Sequence, residues 1–280
     1  MTSQDRLYLD DSYLKEFDAV VEEVRKDEEG VWIRLDKTAF YPTGGGQPHD
    51  TGKLIHDGSE FTITDVKKAN ASVWHKVEQG PAGRTQEIGI GSNVRGVIDW
   101  ERRYRLMRMH TAAHIVSSVA HQEYGAQISG NQLDTNKTRV DFSLEEFDRT
   151  LLLGLQQKAN DIIAKDLQIS KKTLPREEAF KIPALVKLEK GLDPAIQEVR
   201  IVSIGDFDMS EIAQRGSETL IQAISEHAQK YASRDIAAFF DAQADGGTHV
   251  AHTAEIKGIE VFDLENKGKG RKRMYFRLVD

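Results

Sequence analysis

Two pairs of side chains able to hold a metal ion stand out in the chain: His110 and His114 in HTAAH, and Asp245 and His249 in DGGTH, each pair four residues apart. HTAAH lies in WERRYRLMRMHTAAHIVSSVA, a stretch free of Gly and Pro. There Leu106, Met109, Ala113, Val116 and Ala120 recur at helical intervals, which predicts that both imidazoles project from one helix face. That is half of a tetrahedral zinc site. Zinc accepts imidazole nitrogen and carboxylate oxygen alike, so a second pair brought up from a distant loop would complete the set or leave one position for water. In a chain with nine histidines a single His-x-x-x-His is a common accident, whereas the two pairs together carry weight. The chain has no cysteine, so any metal site must be built from His, Asp and Glu.

A second stretch suited to chemistry is Phe40-Tyr-Pro-Thr-Gly-Gly-Gly-Gln-Pro-His-Asp-Thr-Gly52. Gly44, Gly45 and Gly46 let main-chain N–H groups approach a ligand with no Cβ in the way, and Pro42 and Pro48 restrict the loop beforehand. The competing reading is a plain turn between strands.

These residues need a scaffold. Short strand-like runs at 17–24, 30–36, 61–66, 72–75 and 94–98 predict a small β-barrel-like domain over residues 1–98. From residue 99 the pattern changes to a helix over about 100–124, a strand near 138–143 and a helix over about 148–165. Strands follow near 167–172, 199–204, 258–264 and 273–278, with a short helix near 176–180 and a polar helical insertion at about 210–231. The expected class is α+β, with a mixed α/β domain over residues 99–280 that carries the metal site.

The composition is that of an ordinary soluble protein, 39% hydrophobic and 30% charged, with no apolar run of membrane-spanning length. The polar start lacks a signal-peptide core, so a cytoplasmic location and no membrane role are expected. The net charge of −7 argues mildly against nucleic acid, yet positive charge is clustered. Arg102, Arg103 and Arg105 precede the histidine helix face, and Lys269, Arg271, Lys272 and Arg273 lie near the end. Both clusters suit phosphate contact, against the bland reading of a solvated helix face and a ragged tail.

The phrases TAFYPTGGGQPHDTG, HTAAH and DGGTHVAHTAEI, in this order and at these separations, resemble the stand-alone alanyl-tRNA editing proteins of the AlaX family, medium type. They are also similar to the editing domain of alanyl-tRNA synthetase. The resemblance covers about residues 7–278. It implies an N-terminal barrel-like domain, a C-terminal editing core, one zinc ion per chain, and hydrolysis of alanine tRNA mischarged with serine, with glycine as a further candidate. His110, His114 and His249 fall on the family's ligand positions, and Asp245 stands where the better-known synthetase version has cysteine. A carboxylate there makes the metal harder and more Lewis acidic. Direct ligation by Asp245 is the reading adopted; the alternative is that it orients an imidazole or a water and leaves the fourth position open. No role is assigned to His121 or His252.

An aminoacyl ester is already activated, so catalysis needs a positioned water, here expected on the metal, and stabilisation of an oxyanion; no side-chain base is assigned. Alanine is smaller than serine and cannot be excluded by size, so the hydroxyl must be read. Thr38, which matches a threonine in the related sequences, is the candidate for that task, with Gly44, Gly45, Gly46 and Gln47 shaping the substrate pocket. Tyr104 and Tyr275 offer rings for base stacking, though packing is the commoner use. Two rival readings are a non-catalytic tRNA-binding module with a structural metal, and a metal-dependent esterase of small molecules.

Overall fold

The computed structural model describes residues 4–69, 72–79, 88–144, 149–179, 197–205, 239–268 and 270–280. The expected insertion at 210–231 and Lys269 lie outside the described residues. The chain divides into two compact units, Met1–Met107 and Arg108–Asp280.

The first unit contains β1 (Asp5–Arg6), β2 (Glu16–Asp27), β3 (Gly30–Leu35), β4 (Lys37–Thr38), β5 (Gly52–His56), β6 (Ser59–Ala69), β7 (Ser72–Gln79) and β8 (Asn93–Ile98). Six of them close a barrel in the order β2-β3-β7-β6-β5-β8, with β8 returning to β2, every pairing antiparallel. Alternation sets the inside: Phe17, Ala19 and Val21 of β2 point inward with Ile33, Leu35, Leu54, Ile63, Val66, Val73 and Val94. Among the six barrel strands β5 is the one the residue pattern did not predict, because GKLIH offers only one alternation and opens on glycine.

Arg103 and Asp50 form a wholly buried ion pair in this unit. The Asp50 carboxylate also accepts the Tyr41 N–H at 2.6 Å, while Arg103 donates to the carbonyls of Ser12 at 2.9 Å and Ala39 at 2.5 Å. The pair therefore pins the segment that carries Phe40 and Tyr41 to the start of the long helix. Such a pair is satisfied only as a whole, since either partner alone would be a buried, unmatched charge.

The second unit is entered through α1 (Trp100–Tyr124) and continues with β9 (Gln127–Gln132), β10 (Thr138–Ser143), α2 (Arg149–Ile163), β11 (Ile169–Pro175) and α3 (Arg176–Ala179). After these come β12 (Glu198–Gly205), β13 (Phe239–Ala244), β14 (Ile259–Asn266) and β15 (Lys272–Leu278). Four strands make an antiparallel sheet, β14-β15-β10-β9, and three make a second, β11-β12-β13. In the first sheet Thr138, Val140 and Phe142 of β10 share a buried face with Met274, Phe276 and Leu278 of β15. Helix α2 is fastened to β14 where Asn160 exchanges two hydrogen bonds with the backbone of Ile259, at 3.0 and 2.9 Å. No helix among the described residues is long and apolar enough to cross a membrane.

Candidate metal centre

Helix α1 is buried at every position from Leu106 to Ala120, as expected where small and apolar residues occupy all faces of a helix. His110 and His114 sit in the middle of that stretch, 1% and 7% exposed, with ring centroids 5.0 Å apart on one face.

The other half comes from the loop after β13. Antiparallel pairing of β12 with β13 runs to Ile201 and Ala244, so Asp245 leaves the sheet edge beside Arg200, whose carbonyl accepts the Asp245 N–H at 2.9 Å. The loop then turns so tightly under His110 that a Cβ on Gly247 would lie 2.1 Å from the imidazole Cε1; only glycine fits. At its far end the Glu255 carboxylate accepts the N–H groups of Ala251 and His252, each at 2.9 Å, so His252 takes a place in the loop anchor.

His110, His114, Asp245 and His249 bring one ligand atom each to within 4.8 Å of one another. A tetrahedral zinc ion with bonds near 2.1 Å sets its donors about 3.4 Å apart, so a small contraction would close the set. The His110 Nε2 and His114 Nε2 atoms lie 3.5 and 3.9 Å from Asp245 Oδ1, and His249 Nε2 lies 2.9 Å from Oδ2. Oδ2 also accepts the Gly247 N–H at 2.6 Å. The His249 ring is held from behind by Thr111, whose hydroxyl oxygen lies 3.1 Å from Nδ1 and accepts the Val250 N–H at 3.3 Å.

The electrostatics match a cation site. Burial depresses His110 to about 4, opposed by Asp245 and assisted by His114 and Arg200. Burial likewise pushes His249 well below the ordinary histidine range, with His110 adding to the effect. For Asp245 burial pushes upward, but His110, His249 and His114 outweigh it and hold the carboxyl well below the usual range. Near neutral pH His110 and His249 are neutral imidazoles beside an ionised Asp245, and with His114 the cluster offers a donor set of three nitrogens and an oxygen.

The other predicted residues fall in several settings. Thr38 is fully buried on β4; its hydroxyl lies 2.8 Å from His75 Nε2 and accepts the Phe40 N–H at 3.1 Å. His75 donates from Nδ1 to the Ile33 carbonyl at 2.9 Å, and burial lowers its pKa to about 4, so Nε2 carries a lone pair and the Thr38 hydroxyl donates to it. Gly44 and Gln47 close a tight two-residue turn through reciprocal backbone bonds of 3.0 and 2.9 Å, with φ of 58° at Gly45 and 86° at Gly46. Positive φ at both central residues accounts for those two glycines as turn formers; Gly44 has ordinary φ, and a Cβ there would meet Tyr41 Oη at 3.7 Å, an easy contact. Gln47 is buried.

Among the basic candidates, Arg103 and Lys272 correct the sequence reading. Arg103 is spent on Asp50, and the buried Lys272 ammonium donates to Asn266 Oδ1 at 3.0 Å and the Gly268 carbonyl at 3.2 Å. Arg273 grips Asp141 with bonds of 2.6 and 2.9 Å. Arg102 donates to the His49 carbonyl, Arg105 is half-buried, and Arg271 is exposed. Thr111, Arg200 and His75 were not identified from the sequence. Thr111 at least lies inside HTAAH, but Arg200 is 45 residues from its partner Asp245 and carries no local signal.

The family model for class II tRNA synthetases (A) matches residues 12–102, and that for the threonyl and alanyl tRNA synthetase second additional domain matches residues 199–275. The chain is 41% identical over 277 residues to the alanyl-tRNA editing protein AlaX-M of Methanosarcina acetivorans, covering 98% of each. It is 40% identical over 274 residues to the AlaX-M of Saccharolobus solfataricus, covering 97% of this chain and 98% of that one. The alanine–tRNA ligase of Pyrococcus furiosus is 32% identical over 273 residues, which is 96% of this chain and 25% of the ligase. Full-length similarity at this level places the chain in the family of AlaX-M alanyl-tRNA editing proteins.

Proposed function

We propose that this protein is an aminoacyl-tRNA deacylase that acts in trans, cleaving the ester of alanine tRNA mischarged with serine, and also with glycine, at a zinc ion held by His110, His114, Asp245 and His249. The observation that carries the reading is the cluster itself: the two motifs, more than a hundred residues apart in sequence, bring four ligand atoms within 4.8 Å. The names of the full-length relatives supply the substrate class.

When bound, zinc supplies Lewis acidity for the ester carbonyl or for the attacking water. The chain's own residues do the rest. His110 and His249 present neutral imidazoles, and with Nε2 of His249 turned to the cluster its Nδ1–H would donate a hydrogen bond to the Thr111 hydroxyl. The negative charge of Asp245 balances part of the cation. Thr38 has its proton committed to His75, so it would read a substrate by accepting from it: serine has a hydroxyl to donate, while alanine and glycine have none. In this reading Gly44, approached without a Cβ, borders the aminoacyl group together with Gln47. Phosphate contact is assigned to Arg102, Arg105 and Arg271.

The test is deacylation of seryl-, glycyl- and alanyl-tRNA of the alanine type, with metal content measured on the same sample. Rapid loss of serine with alanine spared is expected, falling steeply with salt as phosphate contacts are screened. Binding without hydrolysis by metal-loaded protein would overturn the proposal in favour of a tRNA-binding module. Salt-insensitive cleavage of free serine esters would overturn it in favour of a small-molecule esterase.

A further inference from the structure

Arg200 engages the metal loop at several atoms. Its carbonyl accepts the Asp245 N–H at 2.9 Å, and its Nη1 donates to the carbonyls of both Asp245 and Gly247 at 3.0 Å. The same Nη1 lies 3.9 Å from Asp245 Oδ2, and the side chain is 9% exposed. Asp245 is thereby gripped at its N–H, its carbonyl and its carboxylate by a single residue on β12.

Between the two anchored carbonyls, the Gly247 N–H points at Oδ2, which it meets at 2.6 Å. Oδ2 thus lies on the loop side, and Oδ1 faces His110 Nε2 and His114 Nε2 at 3.5 and 3.9 Å. The two carboxylate oxygens are made unequal. The tolerance is small, because the Gly247 backbone already passes too close to His110 for any Cβ. A loop released from the clasp would move against that imidazole or away from it.

We propose that Arg200 is a positioning residue of the metal centre, holding the Asp245–Gly247 turn so that Asp245 presents Oδ1 to the helix histidines. The proposal rests on reading the cluster as a metal site. Two effects of Arg200 oppose each other: its positive charge beside Asp245 weakens the attraction of a cation, while the two bonds from its Nη1 to the loop carbonyls hold the ligand in place. Geometry prevails here because the guanidinium bonds directly to the loop carbonyls, whereas its charge reaches a metal only across the carboxylate. Removal of such supporting contacts lowers metal affinity by about 10- to 100-fold.

The experiment measures zinc affinity of the full chain by competition with a chromophoric chelator, and the visible spectrum of the cobalt(II)-loaded protein, for wild type, Arg200→Met, Arg200→Lys, Arg200→Gln and His110→Ala. Far-UV circular dichroism checks the metal-free proteins. Expected are an intact fold, zinc affinity about 10-fold lower and an altered cobalt spectrum in Arg200→Met, with partial recovery in Arg200→Lys. A merely structural arginine would lower the melting temperature and leave affinity and spectrum unchanged in the folded protein, which would overturn the inference. Should Arg200→Met not fold, Arg200→Gln decides, because its shorter side chain cannot reach the two loop carbonyls: wild-type affinity and spectrum in that variant would overturn the inference, and a loss in both supports it. His110→Ala separates the two levels. Unchanged zinc affinity there removes the metal reading itself; lost affinity there with an unaffected Arg200→Met removes only the role of Arg200.

Discussion

The hydroxyl of Thr111 stands 3.1 Å behind Nδ1 of His249, on the side of the ring away from Asp245. A hydroxyl can donate or accept, so it serves either tautomer of His249, but with Nε2 on a metal it must accept. Thr111→Val is therefore expected to lower zinc affinity about 10-fold with little change in folding, and Thr111→Ser to keep most of it. Chelator competition on the three proteins checks this.

Asp245→Ala removes the one anionic donor of the cluster. Metal content and deacylation should fall in parallel, and metal analysis of the purified variant decides: full occupancy would show that Asp245 orients a water or an imidazole and does not ligate. Asp245→Cys should restore zinc binding with a softer preference, seen as stronger retention of zinc against magnesium or manganese.

Thr38→Val keeps the shape of the side chain and removes the hydroxyl that donates to His75 and accepts the Phe40 N–H. Hydrolysis of seryl-tRNA should drop by an order of magnitude or more while the glycyl rate is retained, because glycine has no hydroxyl to be read. Parallel kinetics on the two substrates are the measurement. Equal losses on both would assign Thr38 to the barrel structure alone.

His75 contributes a pH-dependent part of the stability. Its folded-state pKa is lowered to about 4 by burial, against an ordinary value of 6.5. Above about 6.5 both states are neutral and its contribution is complete; as pH falls from there toward about 4 the unfolded chain takes a proton that the native barrel refuses, and stability is lost. The shift corresponds to roughly 3 kcal/mol. Urea unfolding of wild type and His75→Gln at several pH values should give a shallower slope for the variant across that window.

Arg103→Ala should unfold the first unit and not merely weaken RNA binding. It leaves the Asp50 carboxylate buried without its counter-charge, a loss of about 3–5 kcal/mol for a broken buried pair. Arg102→Ala, by contrast, should leave thermal stability nearly unchanged, and its effect is to be read in the salt dependence of tRNA binding.

Much of this was legible in the residues. Helix α1 could be read over its full length because 25 residues pass without Gly or Pro, and the barrel strands because inward and outward residues alternate. The two pairs that converge in the cluster could be found from their spacing, although the second reaches it through a turn and not a helix. What could not be read has a common physical cause. The strand β9, QISGNQ, is polar and half-exposed and exists because β10 pairs with it. From the residues alone Arg103 reads as a candidate phosphate contact and Asp50 carries no signal, because 53 residues separate the partners that bury one another. Arg200 looked like one more polar residue on a strand. In each case the role is set by a distant partner.

The burial of α1 on every side from Leu106 to Ala120 also decides where the centre can adapt. A helix packed all round cannot slip by a fraction of a turn or swivel without opening voids along its whole length. His110 and His114 therefore form a fixed jaw. The Asp245–Gly247 turn leaves a sheet edge and is set against them by the bonds from Arg200, so it forms the second jaw, whose position depends on that clasp. For a bound metal, a change of ion radius would therefore fall on the turn and its clasp, so a search for variants with altered metal preference belongs among residues 245–248 and the side chains that hold them.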